Sequence, residues 1–181
     1  MRVPVRKLQK FHNKYRNIFS EETHMFDIVL CNNDIDKDNE RFTSDSLFQM
    51  AKMFSGIKVF LGDRHAENDC VGRILTCNVV TTSQKNKLGH PLLELRAKAY
   101  IFKHNNEDII DGIVSGRIQH VSVGTAVNHS SCSICHSSDC SHVPGLFYND
   151  MRCYRNLDDI SDVYEVGIML NTLDSKDKNE V

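Results

Sequence analysis

The sequence predicts an α+β protein built mainly of antiparallel strands with two or three helices between them. Leu93, Leu95, Ala97, Ala99 and Ile101 alternate with Glu94, Arg96, Lys98 and Tyr100, the period-two pattern of a strand with one wet face. Helical spacing is confined to short stretches, such as Leu47, Met50, Ala51 and Phe54. At 181 residues, with 40% hydrophobic and 25% charged side chains, the chain can bury one sizeable core.

Residues 1–20 hold six Lys/Arg and no acid, with Leu8, Phe11, Tyr15 and Phe19 at helical spacing. This predicts a short basic amphipathic helix with solvated charges. Met25–Cys31 reads as a strand. Thr43 or Ser44 caps a helix that Gly56 ends, and Ile57–Leu61 is a short buried strand leading to His65. Gly72–Val80 and Leu92–Ile101 are strands separated by a polar loop, Thr82–His90. Glu107–Arg117 is helical and buries Ile109, Ile110, Ile113 and Val114. Val163–Leu170 closes the main domain, residues 21–172, with Glu165 and Gly167 opposite Tyr164, Val166, Ile168 and Leu170; residues 173–181 form a charged tail. Asp34, Asp36 and Asp38 imitate a calcium loop, but Asn39 stands at the turn glycine and Asp45 at the closing glutamate, so a solvated turn is expected.

The central segment is His120-Val-Ser-Val-Gly-Thr-Ala-Val127. Alternation puts Val121, Val123, Thr125 and Val127 on one face and His120, Ser122, Gly124 and Ala126 on the other. Ser122 thus projects away from the aliphatic face, beside a glycine that a substrate backbone could approach. A serine hydroxyl becomes a nucleophile when a base such as His65 takes its proton, and a carboxylate orients that base. Glu165 is the first candidate for the carboxylate, with Asp63 and His120 as rivals; His120, two residues from Ser122, is about 7 Å away, too far for a direct hydrogen bond.

A second constellation is Cys132-x2-Cys135-x4-Cys140-x-His142, in a segment from 131 to 146 closed by Pro144-Gly145. Three thiolates and an imidazole satisfy a tetrahedral structural Zn2+, with Cys153 or His136 as substitutes for His142. With seven cysteines in the chain, three of them in this tight cluster, metal binding in a reducing compartment is favoured over a disulfide framework, which points to the cytoplasm. A net charge of −2 gives no basis for a nucleic-acid partner, and no apolar run reaches the length of a membrane span.

The order Asn33 to Phe42, Asp63-Arg64-His65, Val71-Gly72-Arg73-Ile74, Val121-Ser122-Val123-Gly124 and Tyr164-Glu165-Val166 resembles the prohead, or capsid maturation, serine proteases of tailed phages, relatives in fold of the herpesvirus assemblins. The resemblance spans about residues 24–170. It implies a closed or nearly closed β-barrel, with His65 as general base, Ser122 as nucleophile and Glu165 as third member. The family often has an aromatic residue after Ser-x-Gly and a serine after Glu-Val, where this chain has Thr125 and Gly167, so the Ser–His pair is the firmer match. The implied activity is endoproteolysis of scaffold and major capsid proteins, self-cleavage included, inside the assembling prohead of an infected bacterium. A homo-oligomer is expected. The competing expectation is a catalytically inactive assembly module that keeps the zinc insert.

Overall fold

The computed structural model describes residues 21–62 and 70–170. The basic N-terminal segment, the charged tail, and Asp63 and His65 lie outside the described residues.

Nine strands and two helices lie wholly within them. Strands β1 (Thr23–Asn32), β4 (Cys70–Lys85) and β5 (Pro91–Phe102) form an antiparallel set with β5 in the middle. The alternation that predicted β5 holds for its inner face, where Leu95, Ala97, Ala99 and Ile101 are all nearly solvent-free, but Tyr100, expected on the wet face, is buried as well. Gly72 of β4 is required by packing, since a Cβ there would lie 1.8 Å from the Tyr100 carbonyl oxygen. Strand β3 (Lys58–Leu61) pairs antiparallel with β4 and parallel with β9 (Arg155–Leu170). Strand β2 (Glu40–Phe42) pairs parallel with the start of β9, and β6 (Ile118–Cys132) runs antiparallel along the whole of it.

Helix α1 (Ser44–Met53) is capped by Thr43, whose hydroxyl accepts the Ser46 N–H. Its inner face and the residue after it place Leu47, Met50 and Phe54 fully out of solvent; each such side chain is worth about 1.5–3 kcal/mol. Two polar bonds fix the helix on β9: Ser46 Oγ donates to the Leu157 carbonyl (2.7 Å), and Gln49 Oε1 accepts the Ile160 N–H (2.8 Å). Helix α2 (Glu107–Val114) stops short of Arg117, because Gly116 turns the chain with φ +74°, and Val114, expected to be buried, is 71% exposed.

The barrel expected from the resemblance is not formed. Strands β1 and β6 approach one another, but among the described residues no ladder joins them, so the sheet remains open between its two edges. Alternation is a property of each strand alone, whereas closure depends on tilt and on stagger between strands. Here β6 is bulged against β9 at three places, and Val121, Val123 and Val127 pack on the core. The sheet also contains two parallel pairings, so it is mixed.

The expected loop at 82–90 is in part strand, since β4 runs to Lys85. The turn shrinks to residues 86–90, organised by buried Asn86, whose Oδ1 accepts the N–H groups of Leu88 and His90. In the calcium-like stretch, Asp36 Oδ1 accepts the N–H groups of Asp38 and Glu40 and shapes the turn itself. No helix among the described residues is long and apolar enough to cross a membrane.

Replacement Gly72→Ala should cost about 3 kcal/mol or prevent folding, since the added methyl meets backbone and not a movable side chain. Urea unfolding checks this; an unchanged midpoint would contradict the packing described.

Candidate functional site

Strand β6 delivers both constellations, one at each end. At its start Ser122 is exposed and pairs with Gly167 of β9. A Cβ built on Gly167 would lie 3.7 Å from Ser122 Cβ and 3.0 Å from the Gly62 carbonyl oxygen. Gly62 is the last described residue before the Asp63-Arg64-His65 segment, and its N–H donates to the Ile168 carbonyl (2.9 Å), which continues the β3–β9 pairing. Ser122 and the point where the chain leaves toward His65 therefore flank one glycine.

Glu165 lies two residue pairs along, opposite Gly124, half-buried on the face that carries Ser122. Its Cγ is 2.6 Å from where a Gly124 Cβ would sit, and the Tyr164 ring is equally close. Gly124 is thus covered by two side chains, not open to a substrate backbone as its sequence context suggested. Tyr164 is the extra residue of a bulge between Gly124 and Thr125. It is accordingly 52% exposed, off the aliphatic face on which strict alternation put it, and its hydroxyl donates to the Thr125 carbonyl (2.8 Å). Val163, Val166 and Ile168 are the buried members of that face. His120 is exposed, two residues from Ser122 on the same strand.

At the far end, β6 and β9 stay paired to Cys132 and Arg155, so the insert occupies residues 133–154 and not 131–146. The polar run Asn128 to Ser131 gave no strand signal in sequence, yet Ser131 bonds to the Asp158 carboxylate across the pair. The insert contains a hairpin, β7 (Phe147–Tyr148) and β8 (Met151–Arg152), turned by Asn149 and Asp150, both at positive φ. The Asn-Asp pair was the readable signal for it.

The insert gathers Cys132, Cys135, Cys140 and His142 with all four ligand atoms within 4.8 Å of one another, a group that could hold a metal ion. All seven cysteines are free. The local fold is that of a metal knuckle. Cys132 Sγ accepts the Ile134 N–H (3.4 Å), the Cys132 carbonyl accepts the His136 N–H (2.9 Å), and His136 takes φ +60° to turn the chain away. Burial raises the Cys132 thiol, but the N–H groups of Cys135 and Ile134 and the thiols of Cys140 and Cys153 outweigh it and bring Cys132 down to about 6. His142 packs edge-on against Tyr148, at 4.5 Å between ring centres, while its Nδ1 is buried without a hydrogen-bond partner. A buried, unpaired imidazole nitrogen beside three thiols fits a donor set meant for a metal. His136, the rival, is exposed and outside the group. The insert is moored by Arg155, whose N–H donates to the Asn39 carbonyl and whose Nη1 donates to the Ser138 carbonyl, both 2.9 Å.

Protein isolated without chelator should carry one metal ion per chain. Chelation should speed amide exchange across residues 133–154 and leave β4 and β5 protected, because their core does not include the insert. Absence of metal on elemental analysis, or unfolding of the whole chain on chelation, would contradict this assignment.

No protein-family model matches the chain, no curated protein is similar to it, and no solved structure matches it.

Proposed function

We propose that the chain is a serine endopeptidase of the prohead type, with Ser122 as nucleophile and His65 as general base. The observation that carries this reading is the close packing of Gly62 on Gly167 beside exposed Ser122, which brings the start of the His65 segment next to the serine. His65 is three residues along the chain from Gly62, a covalent reach of at most about 11 Å. A side chain at 167 would press on the Gly62 carbonyl oxygen, 3.0 Å from the Cβ position, which gives a reason for glycine where the family often has serine.

In the reaction Ser122 Oγ attacks the scissile carbonyl as His65 takes its proton, and the imidazolium returns that proton to the departing amine. Water then attacks the acyl-enzyme by the same route in reverse, freeing Ser122. Glu165, on the same face two residue pairs away, is the carboxylate that in this reading holds the tautomer and stabilises the imidazolium. The substrates are scaffold and major capsid proteins of an assembling phage head in the host cytoplasm.

The metal of the insert is zinc in this reading, held by Cys132, Cys135, Cys140 and His142. Four protein ligands close its coordination, so it supplies a cross-link and no activated water. Cys132 lies ten residues along β6 from Ser122, about 33 Å at strand rise, which supports a structural role apart from the chemistry.

Ser122→Ala and His65→Ala should each abolish cleavage of the capsid or scaffold substrate while circular dichroism stays unchanged, and the double variant should be no slower than either. Glu165→Gln should lower kcat substantially but less than loss of Ser122. Undiminished cleavage by folded Ser122→Ala protein would sink the protease reading and favour an inactive assembly module.

A further inference from the structure

A fourth sulfur lies against the candidate metal group, which itself holds three thiols and an imidazole. Cys153 is fully buried, and its Sγ is 3.8 Å from Cys132 Sγ, yet it is not one of the four side chains that converge. Its backbone is fixed on both sides. The Cys153 N–H donates to the Leu146 carbonyl (2.7 Å), and its carbonyl accepts the Gly145 N–H (2.8 Å), which ties it to the stretch just after His142. The next residue, Tyr154, exchanges bonds with Ser133: its N–H donates to Ser133 Oγ (2.9 Å), and its carbonyl accepts the Ser133 N–H (3.0 Å). Cys153 therefore sits where the Cys132–Cys135 knuckle meets the arm carrying His142.

We propose that Cys153 is a positioning residue that donates its S–H to the metal-bound sulfur of Cys132. The proposal rests on the metal reading above. In the free pair either sulfur could donate. Once Cys132 binds metal its sulfur carries no proton, which leaves Cys153 as the only donor of the two. Such a bond draws charge from the thiolate and holds its lone pairs in a fixed direction, and outer partners of this kind are typically worth about 10–100-fold in metal affinity. Cys132, Cys135, Cys140 and His142 already complete a tetrahedron, so Cys153 is not needed as a ligand. Its burial also keeps water from taking over the bond.

The test is cobalt(II) titration of the full chain, comparing the parent protein with Cys153→Ser and Cys153→Ala. All three should show the sulfur-to-cobalt charge-transfer intensity of three thiolates. Cys153→Ser, which keeps a donor, should bind nearly as tightly as the parent. Cys153→Ala should shift the charge-transfer band and bind about 10–100-fold more weakly. Loss of one thiolate's share of intensity in Cys153→Ser would make Cys153 a ligand and overturn the proposal. So would a Cys153→Ala protein with unchanged band and affinity. If Cys153→Ala fails to fold, the serine variant decides alone: parent-like band and affinity uphold the hydrogen bond, and a lost thiolate band or weakened binding overturns it. A parent chain that takes up no cobalt refutes the metal reading itself, which separates that failure from this one.

Discussion

The ladder between β6 and β9 is the constraint on which the rest of the structure depends. It places Ser122 opposite Gly167, Gly124 opposite Glu165, and Cys132 opposite Arg155 within one run of pairing. On its other edge β9 holds β3, which leads directly to Gly62, and β2, which leads from the turn where Asn39 receives the Arg155 N–H. Ser46 and Gln49 of α1 bind β9 directly, so the main helix is docked on the same strand. A slip of one residue in this ladder would turn Ser122 into the core and Val121 out of it. The buried Val163, Val166 and Ile168 oppose such a slip, because each would lose its place in the core.

The two constellations share a strand but do different physical work. At the near end Ser122 stands exposed on the sheet surface. The far end gathers three thiols and an imidazole around buried Cys132, with its own hairpin and little apolar material inside; Val143, Leu146, Phe147 and Met151 are all more than half exposed. A segment of that composition gains little order from hydrophobic burial, and the Cys132, Cys135, Cys140 and His142 group could hold a metal ion that compensates.

The parts legible in sequence are those governed by local rules. The alternation of β5, the Thr43 cap and apolar face of α1, and the Cys-x2-Cys spacing each reflect a rule that acts within a few residues. The parts that were not legible depend on non-local geometry. Closure of the sheet is set by stagger between strands, and here the pairing stops between β1 and β6. The exposure of Tyr164 follows from a bulge that exists only because Gly124 faces it. The outer reach of β6 rests on cross-strand polar bonds, such as Ser131 to Asp158, that no hydrophobic pattern announces. The glycine at 167 was visible in sequence only as a departure from the resembled family, and its reason needed Gly62 packed against it.

The account turns on whether Ser122 is an activated nucleophile, and covalent labelling tests that most directly. The folded chain, treated with a fluorophosphonate and mapped by peptide mass spectrometry, should carry one adduct, on Ser122, and denatured chain should carry none. No adduct on the folded protein, or an adduct on a different serine, would contradict the account.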